Sequence, residues 1–167
     1  MDRLAWQGVT IVQIRHATIE DAAISFAIRR EAIRAQCRDD YAAADLDIWT
    51  SGDMSETFAR RVADQFHVAA VGSHIVGTGM IDLETGRIDA VFVLPEYMRR
   101  GVGRAMMDHL QGLAVSAGLG SIQLDSTLNA VSFYRSLGFE GEDRVVYQSS
   151  LGVSLTCVSM IKHLPSA

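Results

Sequence analysis

Arg99-Arg100-Gly101-Val102-Gly103-Arg104 places three guanidiniums and two glycines within six residues of a chain whose formal net charge is −5. The run follows Val91-Phe92-Val93-Leu94-Pro95, an apolar strand stopped by proline. It opens a helix whose apolar positions Val102, Ala105, Met106, Leu110, Leu113 and Ala114 share a face as far as Gly118. The first N–H groups of a helix have no internal partner and carry partial positive charge, so glycine there lets an anion approach the backbone. Guanidiniums add forked contacts to phosphate oxygens. These residue types at this spacing form a phosphate cradle. Two other cradles fit poorly. Met106 stands where a dinucleotide fingerprint needs its third small residue, and the only lysine, Lys162, is far from any P-loop position.

The elements that position this run alternate along the chain. A β-branched strand is expected over 9–16, and Thr18 with Asp21 three residues on caps a helix over about 19–37. That helix carries Ala23, Ile24, Ala27, Ile28 and Ile33 on its apolar side. Residues 38–54 show weak periodicity, and a second helix follows near 55–65. Strands at 66–71 and 74–82 face each other across Gly72-Ser73. A buried strand at 87–94, the helix at 101–117 and a strand at 121–125 suggest a parallel pair. A short helix over 129–137 and strands at 143–150 and 153–162 complete the pattern.

With 167 residues, 49% hydrophobic and 21% charged, the chain suits one domain of roughly 150 residues. An acidic balance argues against a nucleic-acid partner, whose phosphates require clustered Lys and Arg. Apolar runs are broken well short of the ~18 residues of a membrane span. The start, Met1-Asp2-Arg3-Leu4-Ala5-Trp6, carries no basic-then-apolar leader, so a cytoplasmic protein without membrane association is expected. Cys37 and Cys157 have no metal-ligand spacing and read as small buried apolar residues, and no metal is expected. His16, His67, His109 and His163 read as surface or edge histidines.

Val93-Leu94-Pro95-Glu96-Tyr97 followed by Met98-Arg99-Arg100-Gly101-Val102-Gly103 resembles the cofactor motif of the GNAT superfamily of N-acetyltransferases, Q/R-x-x-G-x-G/A, with Met98 at the usual Gln/Arg position. Asn129 to Phe139, with Phe133-Tyr134 and Gly138-Phe139 in F-Y-x-x-x-G-F spacing, is similar to a helix of the same family. The resemblance implies an α/β, three-layer fold over 1–167, with a mixed central sheet of six or seven strands and helices on both faces. It implies acetyl-CoA as acyl donor and a small-molecule or peptide amine as acceptor, by direct transfer in a ternary complex; a homodimer is compatible with it. A non-catalytic acyl-CoA-binding or sensing domain is the alternative.

By the same resemblance, backbone groups of Val91, Phe92 and Val93 would pair with the pantetheine arm. The pyrophosphate would lie on Gly101, Val102 and Gly103 with Arg99, Arg100 and Arg104 around it. Asn129 would contact the arm, and Tyr134 would sit near the thioester sulfur. A tyrosine, with pKa near ~10, is protonated at neutral pH and able to protonate a departing thiolate. Asp89 is the first candidate for the base, with Asp82, Glu84, His74 and Asp125 behind it. Gly103→Val is expected to weaken cofactor binding without unfolding the chain. The acidic and aromatic content of residues 36–54 (Asp39, Asp40, Tyr41, Asp45, Asp47, Trp49, Asp53) hints at a cationic acceptor.

Overall fold

A computed structural model describes residues 10–166. Seven strands form one mixed sheet in the order β1-β2-β3-β4-β5-β7-β6. They are β1 (Gln13–His16), β2 (Phe66–Val71), β3 (His74–Asp82), β4 (Arg87–Val93), β5 (Ser121–Thr127), β6 (Arg144–Gln148) and β7 (Ser154–His163). Every neighbouring pair is antiparallel except β4 and β5, which run parallel. Val9, where the first strand was expected to begin, lies outside the described residues.

Five helices cover the two faces: α1 (Ala22–Gln36), α2 (Ala43–Trp49), α3 (Glu56–Gln65), α4 (Val102–Ser116) and α5 (Val131–Ser136). Thr18 and Asp21 form the expected capping box, although its first turn, Ile19–Asp21, is a 3-10 turn rather than α-helix. The buried positions of α1 are Ala22, Ser25, Ile28, Ala32 and Ile33, while Ala23 and Ile24 face solvent. The expected apolar stripe shares only Ile28 and Ile33 with this buried face, because Ser25 on the buried face breaks the apolar pattern. Helix α2 falls in the stretch that showed no clear periodicity. Only seven residues long, it buries Leu46 and Trp49, too few for a helical repeat to show.

Helix α4 packs Val102, Met106, Met107, Leu110 and Ala114 against Val76, Ile81, Ile88, Val93, Ile122 and Leu124 of the sheet, with Tyr134 and Phe139 in the same core. On the opposite face, Ala22, Ala59 and Val62 of α1 and α3 pack on Phe66, Val68 and Met80. Burial of these apolar surfaces, worth roughly 25 cal/mol per Å² removed from water, holds the three layers together.

A candidate active site between two parting strands

The parallel pair β4 and β5 meets at a single register position, Arg87 with Gln123, and then separates. A bulge in β4 lies where the strands part. Ala90 is left-handed at φ 53°, and the pairing with β3 slips between Thr78 and Met80. A bulge bends its strand, and the Thr78 hydroxyl donates to the Ala90 carbonyl at 2.8 Å to hold this one. On the β3 side, Leu94 donates to the Val76 carbonyl. Antiparallel alternation therefore turns the groups of Phe92 toward β3 and those of Val91 and Val93 toward the gap. Of the three residues expected to present backbone to a ligand, Phe92 is committed to the sheet. The Val93 carbonyl accepts from Gln36 Nε2 of α1 at 3.0 Å.

Past the end of β4, the chain turns through Pro95–Tyr97 and enters α4 at Gly101. Gly101 is left-handed at φ 82°, which glycine adopts without the steric penalty of a Cβ. Its carbonyl accepts from Ala105 N in the first bond of the helix, so the N–H groups of Val102, Gly103 and Arg104 have no partner within it. Gly103 has a second function, since a Cβ on it would come within 3.2 Å of Phe133 Cζ. It allows α5 to pack against the start of α4. Arg99, Arg100 and Arg104 are exposed around the turn, with Arg100 lying 5.3 Å over the Tyr97 ring. Asn129 stands just before α5, where its Oδ1 accepts from the Cys37 thiol at 3.3 Å.

The gap opens into a cavity of about 430 Å³ on the α1 and α3 side. Its walls bring together Asp89 and Asp125 from the sheet, Tyr134 from α5, Arg29 from α1, Trp49 from α2 and Arg61 from α3. Tyr134 packs in the core beneath α4 and still lines this cavity, so it faces through the opening between β4 and β5. Burial raises its pKa above the ordinary value, and the charge of Asp89 adds to the effect. The phenol stays protonated. Asp89 keeps about half its side chain accessible and lies 3.8 Å from Arg61. Desolvation inside the cavity raises its pKa, Arg87 and Arg61 oppose that, and Asp125 adds to it. Asp125 itself is held 2.7 Å from Arg87, which leaves Asp89 the freer carboxylate. Asp82, Glu84 and His74 do not line the cavity.

Sequence reasoning did not foresee the contacts of two residues near this site. Tyr41, between α1 and α2, donates its hydroxyl to the Thr156 carbonyl at 2.6 Å and accepts from Leu128 N at 3.0 Å. It ties the α1–α2 connection to β7 and to the segment carrying Asn129. Arg29 also lines the cavity, although its helical spacing suggested only a polar face. Of the acidic and aromatic residues singled out in 36–54, Trp49 and Asp53 line the cavity, while Asp39, Asp40, Tyr41, Asp45 and Asp47 do not. His67, read as a surface histidine, is buried against His109 and His16.

Comparison with known proteins agrees with this architecture. A family model described as an acetyltransferase (GNAT) domain matches residues 37–160. A Bacillus subtilis (strain 168) protein named as a candidate acetyltransferase is 26% identical over 90 residues, which are 52% of this chain and 61% of that relative's length. The crystal structure of a GCN5-related N-acetyltransferase from Rhodopseudomonas palustris is similar at a TM-score of 0.86 and 28% identity, covering 95% of this chain and 99% of that one. PaiA N-acetyltransferase from Thermoplasma acidophilum, solved in complex with coenzyme A, shares the fold at a TM-score of 0.73 and 20% identity over 92% of this chain and 99% of that one.

Proposed function

The chain belongs to the GNAT acetyltransferase family, and from that premise we propose that it transfers an acetyl group from acetyl-CoA to a primary amine of a small molecule or peptide, directly within a ternary complex. The observation that carries this reading is the parting of β4 from β5 beside a cavity that holds Tyr134 and Asp89. Backbone groups left without a strand partner in a protein interior are unfavourable unless something pairs with them. An extended pantetheine arm suits the free edge at Val91 and Val93, and the N–H groups of Val102, Gly103 and Arg104 suit a pyrophosphate. Asn129 retains its amide donors for the arm, because only its oxygen is engaged by Cys37. Arg99, Arg100 and Arg104 contribute screened charge from the surface.

Acetyl-CoA supplies an acyl group activated as a thioester. The residues of the chain manage the protons. The amine must be neutral to attack, and Asp89, with its basicity raised by burial, accepts the proton the nitrogen sheds, directly or through water. As the carbon–sulfur bond breaks, Tyr134 donates its phenolic proton to the sulfur. Asp89 and Tyr134 thus end with one proton gained and one lost, and solvent restores both.

Replacing Tyr134 by Phe tests this assignment, since it removes one hydroxyl and keeps the ring that packs on Phe133 and Phe139. With acetyl-CoA saturating and an amine panel as acceptors, kcat is expected to fall by about 10² to 10⁴-fold while cofactor affinity holds. A fall of less than about tenfold where chemistry limits the rate removes Tyr134 as the proton donor.

A further inference from the structure

The cavity is lined by three arginines, Arg29, Arg61 and Arg87, and three aspartates, Asp53, Asp89 and Asp125. Two of the arginines are answered within the fold, Arg61 by Asp89 and Arg87 by Asp125. Among the described residues Arg29 has no carboxylate at ion-pair distance. It is nevertheless held in place. The guanidinium lies over the Trp49 ring, 5.6 Å from its centroid, and Nη2 donates to the Trp49 carbonyl at 3.2 Å. That uses one of its five N–H donors.

Trp49 carries a second free donor. The side chain is only 6% exposed and lines the cavity, and its indole Nε1 has no hydrogen-bond partner among the described residues. A buried N–H without an acceptor is rare in folded proteins, and this one belongs to a residue of the pocket wall. Arg29 and Trp49 belong to the same wall, and the polar groups of both side chains are donors only. Their complement is a group that only accepts and carries one negative charge.

We propose that the acceptor amine also bears a carboxylate, held by the free edge of Arg29 and by Trp49 Nε1, while its amino group meets the acetyl donor beside Asp89 and Tyr134. This rests on the acetyl-transfer reading of the same cavity. A carboxylate has two oxygens and one charge, which suits one uncompensated guanidinium and one further N–H; a phosphate dianion would call for more cation than the cavity leaves free. The lining holds three arginines and three aspartates, so an amino acid or related zwitterion enters a cavity of about 430 Å³ without changing its net charge. Burial, with Arg30 nearby, lowers the pKa of Arg29 from its ordinary value while Tyr147 raises it. Desolvation of this kind strengthens the pull of the guanidinium on an entering anion.

The test uses acceptors in pairs that differ only by the carboxylate: phenylalanine with phenethylamine, tryptophan with tryptamine, leucine with isopentylamine. Free thiol release from acetyl-CoA is measured, and the acetylated product is identified by mass. The carboxylate-bearing members are expected to show kcat/KM higher by about tenfold or more, carried mainly by KM. In Arg29→Gln the ratio falls to within about threefold of unity, and Arg29→Lys, which keeps the charge, restores part of it. If Arg29→Gln does not fold, Trp49→Phe tests the same contact and is expected to lower the ratio by a smaller factor. A wild-type protein indifferent to the carboxylate, or a preference that survives Arg29→Gln and Trp49→Phe, overturns the inference and leaves acetyl transfer standing. Binding of acetyl-CoA with no transfer to any member counts against acetyl transfer itself, and the inference falls with it.

Discussion

The two walls of the site are built in different ways. The wall proposed for the cofactor, from β4 through the start of α4 to α5, offers mainly backbone: a strand edge at Val91 and Val93, free N–H groups at Val102, Gly103 and Arg104, and glycines that keep the approach open. The wall proposed for the acceptor offers side chains that arrive from separate helices, Arg29 from α1, Trp49 from α2 and Arg61 from α3. Backbone recognition needs particular residues at fixed spacing and leaves a motif in the sequence. Side-chain recognition assembled across long range leaves none. The first wall can therefore be shared among many acetyltransferases, while the second is free to differ with each acceptor.

A substitution on the cofactor wall should damage binding and packing together. Gly103→Val puts bulk where a pyrophosphate would lie and also where a Cβ would already stand 3.2 Å from Phe133. Acetyl-CoA affinity, measured by calorimetry, should drop at least about tenfold. The melting temperature should fall by several degrees, as overpacking of about 1–3 kcal/mol implies in a chain of this size. Expectation from sequence was weaker binding without unfolding, and the Phe133 contact adds a loss of stability to it. A variant that keeps both affinity and melting temperature would break the contrast between the walls, since Arg29→Gln is expected to alter acceptor choice alone.

This contrast sets what could be read in advance. The strands β2, β3, β5 and β7 and the helix α4 were legible because each buries an apolar stripe, and Gly101 and Gly103 were legible because few residue types suit a helix start open to an anion. Free backbone along β4 at Val91 to Val93 was expected from resemblance. Its local cause, the left-handed Ala90, was not, because a bulge at alanine carries no glycine to mark it. Arg29 looked like any solvated position on an amphipathic helix. Only packing against Trp49 from another element distinguishes it. Tyr41 was hidden for the same reason, its partners Leu128 and Thr156 lying far along the chain.

A smaller effect belongs to neither wall and separates scaffold from site. His67 is buried, and desolvation together with the charges of His109 and His16 lowers its pKa to about 4. Its unfolded value is near ~6.5. A histidine whose folded pKa is depressed lends its full stability above the unfolded value and loses it as pH falls from about 6.5 toward 4, where the unfolded chain binds the proton and the folded chain does not. Denaturant unfolding at pH 7 and at pH 4.5 should differ by about 2 kcal/mol from this group. His67→Gln should flatten that slope. An unchanged slope would place the acid sensitivity elsewhere in the fold.

The most direct measurement is a titration of the isotopically labelled protein with acetyl-CoA, followed by the backbone amide resonances. The amides of Val91, Val93, Val102, Gly103 and Arg104 are predicted to move most and to saturate together, with those of α3 moving least. Largest shifts along α1 and α3 with the start of α4 silent would contradict the account, because the donor would then occupy the wall assigned here to the acceptor.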